Sequence, residues 1–236
     1  NPLYDWKAMK QDGFGWWIRR VEGAARLFDA IRLDHFRAFA SYWAVPAGAK
    51  TAREGAWEQG PGMDLLGVLT SWFPQITYIA EDLGILTEDV HRLRKDSGLP
   101  GMKVLEFAFS GPDNAYLPHQ YPDSRCICYT GTHDNDTAAG WYASATPQEK
   151  AYARKYLGVE RDDAQTVCRA LLRAGQGSIA ELFVAQMQDY LGLGSEARVN
   201  VPGVPRGNWS WRMEPGKTTD ALADAIRDLT HTFGRC

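Results

Sequence analysis

The sequence predicts an α/β protein in which short strands alternate with helices around a parallel sheet. Three observations predict it: apolar strand-like runs recur at roughly 25-residue spacing, marked helix starts fall between them, and acidic residues close three of the runs. Gly13 to Ala30 spaces Trp17, Val21, Ala24, Leu27 and Phe28 at helical intervals, and Ile31 to Phe36 follows as the first strand. The stretch from Ala44 to Gly62 is rich in Gly and Pro and too polar for a buried element. Residues 44–62 are therefore expected as a long loop after that strand. Ile76 to Ala80 reads as a second strand, and Thr87 before Glu88 and Asp89 marks a helix whose first-turn acids suit its dipole. Met102 to Phe109 and Cys126 to Tyr129 read as the third and fourth strands. Thr146-Pro147-Gln148-Glu149 carries a capping box with Pro at N1, and Ser178-Ile179-Ala180-Glu181 carries a second box. Ala197 to Val201 reads as a fifth strand, and a helix over Thr219 to Phe233 closes the chain. Five strands are too few for a closed eight-stranded barrel of about 250 residues, although the 236-residue chain nearly has that length. No repeat or low-complexity linker divides it, so one domain, or part of one, is expected.

Composition narrows the function classes. Lys and Arg total 26 against 29 Asp and Glu, a net charge of -3, which gives no electrostatic footprint for nucleic acid and no polybasic membrane patch. No apolar run approaches the roughly 18 to 20 residues that span a bilayer, and no charged-then-apolar leader opens the chain. A cytoplasmic location is the expectation. Cys126 and Cys128, spaced C-x-C, fall on one face of a strand as small buried hydrophobes, and with Cys168 and Cys236 they are expected as reduced thiols. Aromatic residues make up 12% of the chain, many of them beside Gly or polar residues. That placement suits flat, hydroxylated ligands such as sugars, although large aromatics also simply fill cores.

The three acid-bearing segments are Ile31-Arg32-Leu33-Asp34-His35-Phe36-Arg37, Tyr78-Ile79-Ala80-Glu81-Asp82-Leu83-Gly84 and Tyr129-Thr130-Gly131-Thr132-His133-Asp134-Asn135-Asp136-Thr137. In parallel α/β folds, polar residues at the C-terminal ends of several strands converge on one pocket. Asp34 and Glu81 lie one βα unit apart, lengthened by the 44–62 loop, and so belong on neighbouring strands. Two such carboxyls can divide the work at a sugar linkage: an ionised one attacks the anomeric carbon and a protonated one donates to the leaving oxygen. Arg32, two residues before Asp34 on the same strand face, favours the ionised form there. Asp34 is thus the attacker and Glu81 the acid, its pKa raised by burial and by the Asp34 charge. Asp134 can bind hydroxyls and oppose positive charge at the anomeric carbon, while His35 and His133 can donate to hydroxyls. Each acid alone also fits an N-cap or a solvated loop. A metal site of mixed nitrogen and oxygen ligands at Asp34-His35 and His133-Asp134 is disfavoured by the positive charge of Arg32 and Arg37. No metal and no cofactor are expected.

At these motifs the sequence resembles the 4-α-glucanotransferases called amylomaltase or disproportionating enzyme, glycoside hydrolase family 77 of the α-amylase clan. The resemblance extends through Asn1-Pro2-Leu3-Tyr4-Asp5-Trp6, Tyr42-Trp43 with Pro46, Glu54-Gly55 with Trp57, and Pro61-Gly62. It continues in Pro100-Gly101-Met102-Lys103-Val104, Tyr116-Leu117-Pro118-His119, Asn200-Val201-Pro202-Gly203 and Gly207-Asn208-Trp209-Ser210-Trp211-Arg212. Ser110-Gly111 departs from the family, whose members tend to place an acid there.

The resemblance implies a (β/α)8 TIM barrel of the α-amylase clan, of which this chain, beginning at Asn1 without Met, is expected to hold the later strands, about the fourth to the eighth. The upstream barrel half and its inserted subdomain are then absent, which accounts for the count of five. It implies a retaining double displacement on α-1,4-glucans (maltose, maltodextrins, starch or glycogen chains), with Asp34 as nucleophile, Glu81 as general acid/base and Asp134 as transition-state stabiliser. Arg32, His133 and Asn200 match family positions that contact the sugar, and Trp57 lies in a loop lining the acceptor side. An α-glucan hydrolase of the same clan, or a glucan-binding fragment without a complete cleft, are the alternatives. Open sheet edges in a partial barrel lead to an expectation of self-association.

Overall fold

The computed structural model describes residues 2–235, so Asn1 and the cysteine at 236 lie outside the described residues. The chain divides into two compact units, one through Met102 and one from Lys103 onward. In chain order the first unit holds α1 (Trp6–Gln11), α2 (Gly15–Ala25), β1 (Ala30–Leu33), α3 (Arg37–Ala40), β2 (Ser41–Ala44), β3 (Ala56–Gln59), α4 (Gly62–Trp72), β4 (Thr77–Ala80) and α5 (Glu88–Ser97). After β5 (Gly101–Val104), the second unit holds β6 (Cys126–Tyr129), α6 (Ala138–Ser144), α7 (Pro147–Leu157), α8 (Ala164–Gln176), β7 (Leu182–Val184), α9 (Met187–Tyr190) and α10 (Asp220–Thr232). The α/β alternation expected from the sequence is present.

In the first unit β1 and β4 pair in parallel, with Leu33 opposite Ala80. Their crossover helix, α4, buries Leu65, Leu66 and Leu69, spaced to form one apolar stripe that packs with Leu33, Phe36 and Val90 in a single core. In the second unit β6 and β7 pair in parallel, with Cys128 opposite Phe183. Helix α8 presents Val167, Cys168 and Leu171 to a core that includes Cys126 and Cys128. Both residues of the C-x-C pair are buried on β6, as small hydrophobes should be. Burial pushes the Cys128 thiol up to about 11 and the Cys168 thiol up to about 12, which keeps both protonated and unreactive.

Local signals account for several boundaries. The Thr146 capping box forms both of its bonds: the Glu149 N–H donates to Thr146 Oγ1 and the Thr146 N–H to Glu149 Oε2. Thr87 and Thr219 stand at the N-caps of α5 and α10. Other expectations are corrected. The helix expected over Gly13 to Ala30 is shorter at both ends: Phe14, buried at φ +59°, caps its start, and Leu27 and Phe28 fall beyond its end and stay exposed. The 44–62 stretch is not a plain loop: β3 inside it pairs antiparallel with β2, and Trp43 faces Trp57 edge to face at 5.4 Å. The cross-strand aromatic pair supplies the apolar contact that the polar composition concealed. The third strand ends at Val104, since Leu105–Phe107 form a 3-10 turn.

The second capping box starts no helix. The Ser178 hydroxyl donates back to the Gly175 carbonyl at the end of α8, and the Glu181 N–H donates to Ser124 O as the chain enters β7. Ala197 to Val201 is likewise no strand: Ser195–Ala197 form a 3-10 turn, and the Asn200 carbonyl and the Val201 N–H that follow pair with the Arg198 and Asn208 side chains. Among the described residues no helix is long and apolar enough to cross a membrane.

Gly175 marks where α8 meets β7, because a Cβ there would lie 2.0 Å from the Phe183 ring. Gly175→Ala is expected to destabilise the chain by about 1–3 kcal/mol through overpacking, despite the better helix propensity of Ala. Gly23→Ala in α2, where a Cβ meets nothing within 4 Å, is expected to stabilise by about 0.5–1 kcal/mol. Thermal or denaturant unfolding of the two variants should therefore give shifts of opposite sign.

Candidate active site

The first unit brings Asp34 and Glu81 together by extending the β1–β4 ladder past the strand ends. The Glu81 N–H donates to Leu33 O at 3.0 Å and the Phe36 N–H donates to Glu81 O at 3.1 Å. His35, held at φ +49°, points its own N–H at Glu81 Oε2 at 2.7 Å, and Leu83 N–H reaches Oε1 at 3.2 Å. A left-handed backbone costs a non-glycine residue about 1–3 kcal/mol, so the His35 turn stores strain at the site. His35 serves Glu81 through its backbone.

The two carboxyls have different surroundings. Asp34 is 75% exposed and its Oδ1 accepts from Arg32 Nη2 at 2.9 Å, as the same-face placement predicted. Arg32 is steadied by a contact from Nη1 to the Met102 sulfur at 3.9 Å. Glu81 is half-buried, and burial raises its pKa; the Asp34 charge adds to the rise, while the two backbone N–H donors and Arg32 oppose it. Asp82, next in sequence, turns away: its Oδ1 accepts the Met102 N–H at 2.7 Å and its Oδ2 faces Arg94 at 3.3 Å. A Cβ on Gly101 would lie 2.3 Å from Asp82 Oδ2, so the close approach requires glycine there. Trp57 is exposed on the β2–β3 hairpin, with the Arg37 guanidinium 4.5 Å over its ring while Arg37 also donates to Ile85 O.

The second unit gathers His133, Asp134 and Asn200. Asp134 Oδ1 accepts from Asn200 Nδ2 at 2.6 Å, and His133 Nε2 lies 3.5 Å from Oδ2. Arg198, which sequence reasoning missed, straps this group: it donates to the Asp134 carbonyl at 2.7 Å and to the Asn200 carbonyl at 2.9 Å. A cleft of about 480 Å³ is lined by Asp134, Asn135, Asp136, Arg198, Glu106 and Phe107.

Glu106 was also missed. It is 7% exposed, and burial followed by the charges of Asp189 and Asp136 pushes its pKa up to about 9 against the opposing pull of Arg198. Its Oε1 finds no hydrogen-bond partner among the described residues and would lie 2.6 Å from a Cβ on Gly131. Asp189, 2% exposed, accepts from Thr130 Oγ1 and from the Ala138 N–H that opens α6. A lone acid inside the apolar run Val104-Leu105-Glu106-Phe107 was the available signal for Glu106. Among the described residues no group of three or more His, Cys, Asp or Glu side chains is placed to hold a metal ion.

Known proteins share this arrangement of sequence and fold. The glycoside hydrolase family 77 model, described as 4-alpha-glucanotransferase, matches residues 1–219. The 4-alpha-glucanotransferase of Thermus thermophilus is 50% identical over all of this chain and 48% of its own length. The chloroplastic/amyloplastic 4-alpha-glucanotransferase of Solanum tuberosum is 47% identical over all of this chain and 41% of its own length. The structure of amylomaltase from Streptococcus agalactiae in complex with acarbose superposes with a TM-score of 0.92 at 32% identity, covering all of this chain and 47% of the other. The chain thus spans a little under half the length of these relatives.

The raised pKa of Glu106 carries a stability consequence. Its folded value, about 9, lies above the 4.5 of an ordinary glutamate, so between those values the native state holds a proton that the unfolded chain has lost. Stability contributed by Glu106 is full below about pH 4.5 and is lost as pH rises toward 9. Glu106→Gln removes that titration, so its melting temperature relative to the parent should climb steadily between pH 5 and about 9. A constant offset across that range would contradict the assignment.

Proposed function

The chain belongs to the 4-alpha-glucanotransferase family, and from that premise we propose that the protein cuts an α-1,4-glucan and passes the donor segment to the 4-hydroxyl of an acceptor glucan or glucose. The observation that carries the reading is the placement of two unlike carboxyls across one parallel register: Asp34 exposed beside Arg32, Glu81 half-buried with a raised pKa. The Asp34 carboxylate attacks the anomeric carbon while the bond to the leaving oxygen breaks and takes the Glu81 proton. A glycosyl ester on Asp34 results, with inversion. Glu81, now ionised, then removes the proton of the acceptor 4-hydroxyl. That oxygen displaces Asp34 with a second inversion, which restores the original configuration and returns the proton to Glu81.

Asp134 takes the remaining role, opposing positive charge that grows at the anomeric carbon in both transition states. Asn200 on Oδ1 and Arg198 on the main chain support that reading, because a carboxylate held in advance costs no reorganisation during the reaction. Arg32, His35, His133 and Asn200 are proposed sugar contacts near the cleavage point, and Trp57 is a proposed acceptor-side contact. The strands are read as the later strands of a (β/α)8 barrel. Acarbose, with which the Streptococcus agalactiae amylomaltase forms a complex, is a natural probe of the site.

Incubation of the encoded protein with maltotriose tests the reaction. Glucose together with maltodextrins longer than maltotriose is the expected product pattern, whereas glucose and maltose alone would favour hydrolysis. Asp34→Asn and Glu81→Gln should each lower transfer by roughly 10³-fold or more, since one removes the nucleophile and the other the proton donor. Asp134→Asn should lower kcat much more than it raises KM, because its charge matters most in the transition state. Turnover within about tenfold of the parent in either of the first two would refute the roles.

A further inference from the structure

Trp209 is 57% exposed, yet its backbone is firmly held. Its φ is +62°, a left-handed conformation that is strained for a residue with a side chain, and its N–H donates to Val199 O at 2.7 Å. Its carbonyl accepts from Arg212 Nη1 at 3.1 Å. The turn leading into it is braced by Asn208, whose Oδ1 accepts the Val201 N–H at 2.9 Å and whose Nδ2 donates to the Val201 and Val204 carbonyls. The ring lies beside the His133 imidazole, centroids 5.4 Å apart and planes 35° from parallel. A strained and braced turn therefore holds a large apolar plane out in water, next to the imidazole that adjoins Asp134.

The surroundings say what that plane suits. The ring borders the His133 imidazole, which pairs with Asp134, and Asp134 is in turn held by Asn200, so donors and acceptors lie close to the indole. A hexopyranose ring matches both features, with a face of C–H groups for the indole and an equator of hydroxyls for the polar neighbours. We propose that Trp209 is a stacking platform that receives the flat face of a glucosyl unit adjoining the one that meets Asp134 and Asn200. This rests on the glucan reading of the site. The indole covers one sugar ring from water and leaves the bonds being made and broken to other groups, so its contribution is to binding more than to chemistry.

The test is equilibrium binding of maltopentaose by calorimetry in the encoded protein carrying Glu81→Gln, so that the ligand is not consumed. In that background Trp209→Ala and Trp209→Leu should each weaken binding about tenfold or more, while Trp209→Phe stays within about threefold. Leucine fills space against His133 but offers no flat face. If Trp209→Leu binds as well as the parent, the indole is only a prop for His133 and the proposal falls. It falls equally if Trp209→Ala changes nothing, or if Phe binds as poorly as Ala, and in each of these cases the glucan site itself stands. Absence of binding by the Glu81→Gln parent would instead bring down the glucan reading on which the proposal rests.

Discussion

The parallel register between β1 and β4 is the constraint on which the first unit depends. Leu33 lies opposite Ala80, and the ladder continues through Glu81 and Phe36, so Asp34 and Glu81 emerge side by side where the strands end. Side chains alternate along a strand, and a slip of one residue would turn Arg32 and Asp34 to the opposite face. The buried leucines of α4 oppose that slip, because Leu33 and Ala80 would leave the core they share. The left-handed turn at His35 follows from the same register, since it aims a backbone N–H at the Glu81 carboxyl.

The second unit orders its acid by a different means. Asp134 stands in a loop, held by one side-chain amide and by an arginine that grips two carbonyls. The buried Glu106 beside Arg198 is kept neutral by its surroundings, so it adds a carboxyl to the cleft wall without adding a charge at neutral pH. Gly131 is required by this packing, because any side chain there would run into Glu106. Stability is given up for a cleft wall whose charges have settled positions, a common bargain at functional sites.

Legibility in the sequence tracked the range of the interactions. Arg32 and Asp34 share a strand face two residues apart, and their ion pair was readable as such. The Thr146 capping box, the buried C-x-C pair and the closing helix are equally local and stand as read. Ser178 shows the limit of a four-residue pattern: the same hydroxyl that opens a helix can close the one before it, and the pull of β6 drew the following residues into a strand. The β2–β3 hairpin was hidden because its stabilising contact, Trp43 on Trp57, joins residues on two separate strands. Arg198 was missed for a related reason, since its bond to the Asp134 carbonyl spans 64 residues, and for Glu106 the lone acid in an apolar run was a signal without a visible partner. The relatives' shared motifs carried the family, whereas the protonation of Glu106 emerges only from burial.

The proposed double displacement depends most on Glu81 being held as an acid by burial and by the neighbouring Asp34 charge. A carbon-13 titration of the Glu81 side-chain carboxyl, in the parent and in Asp34→Asn, measures this directly. The expected outcome is a Glu81 pKa above the ordinary 4.5, part of the rise disappearing when the Asp34 charge is removed. A Glu81 that titrates at or below that ordinary value, or that ignores the loss of Asp34, would overturn the division of roles between the two carboxyls.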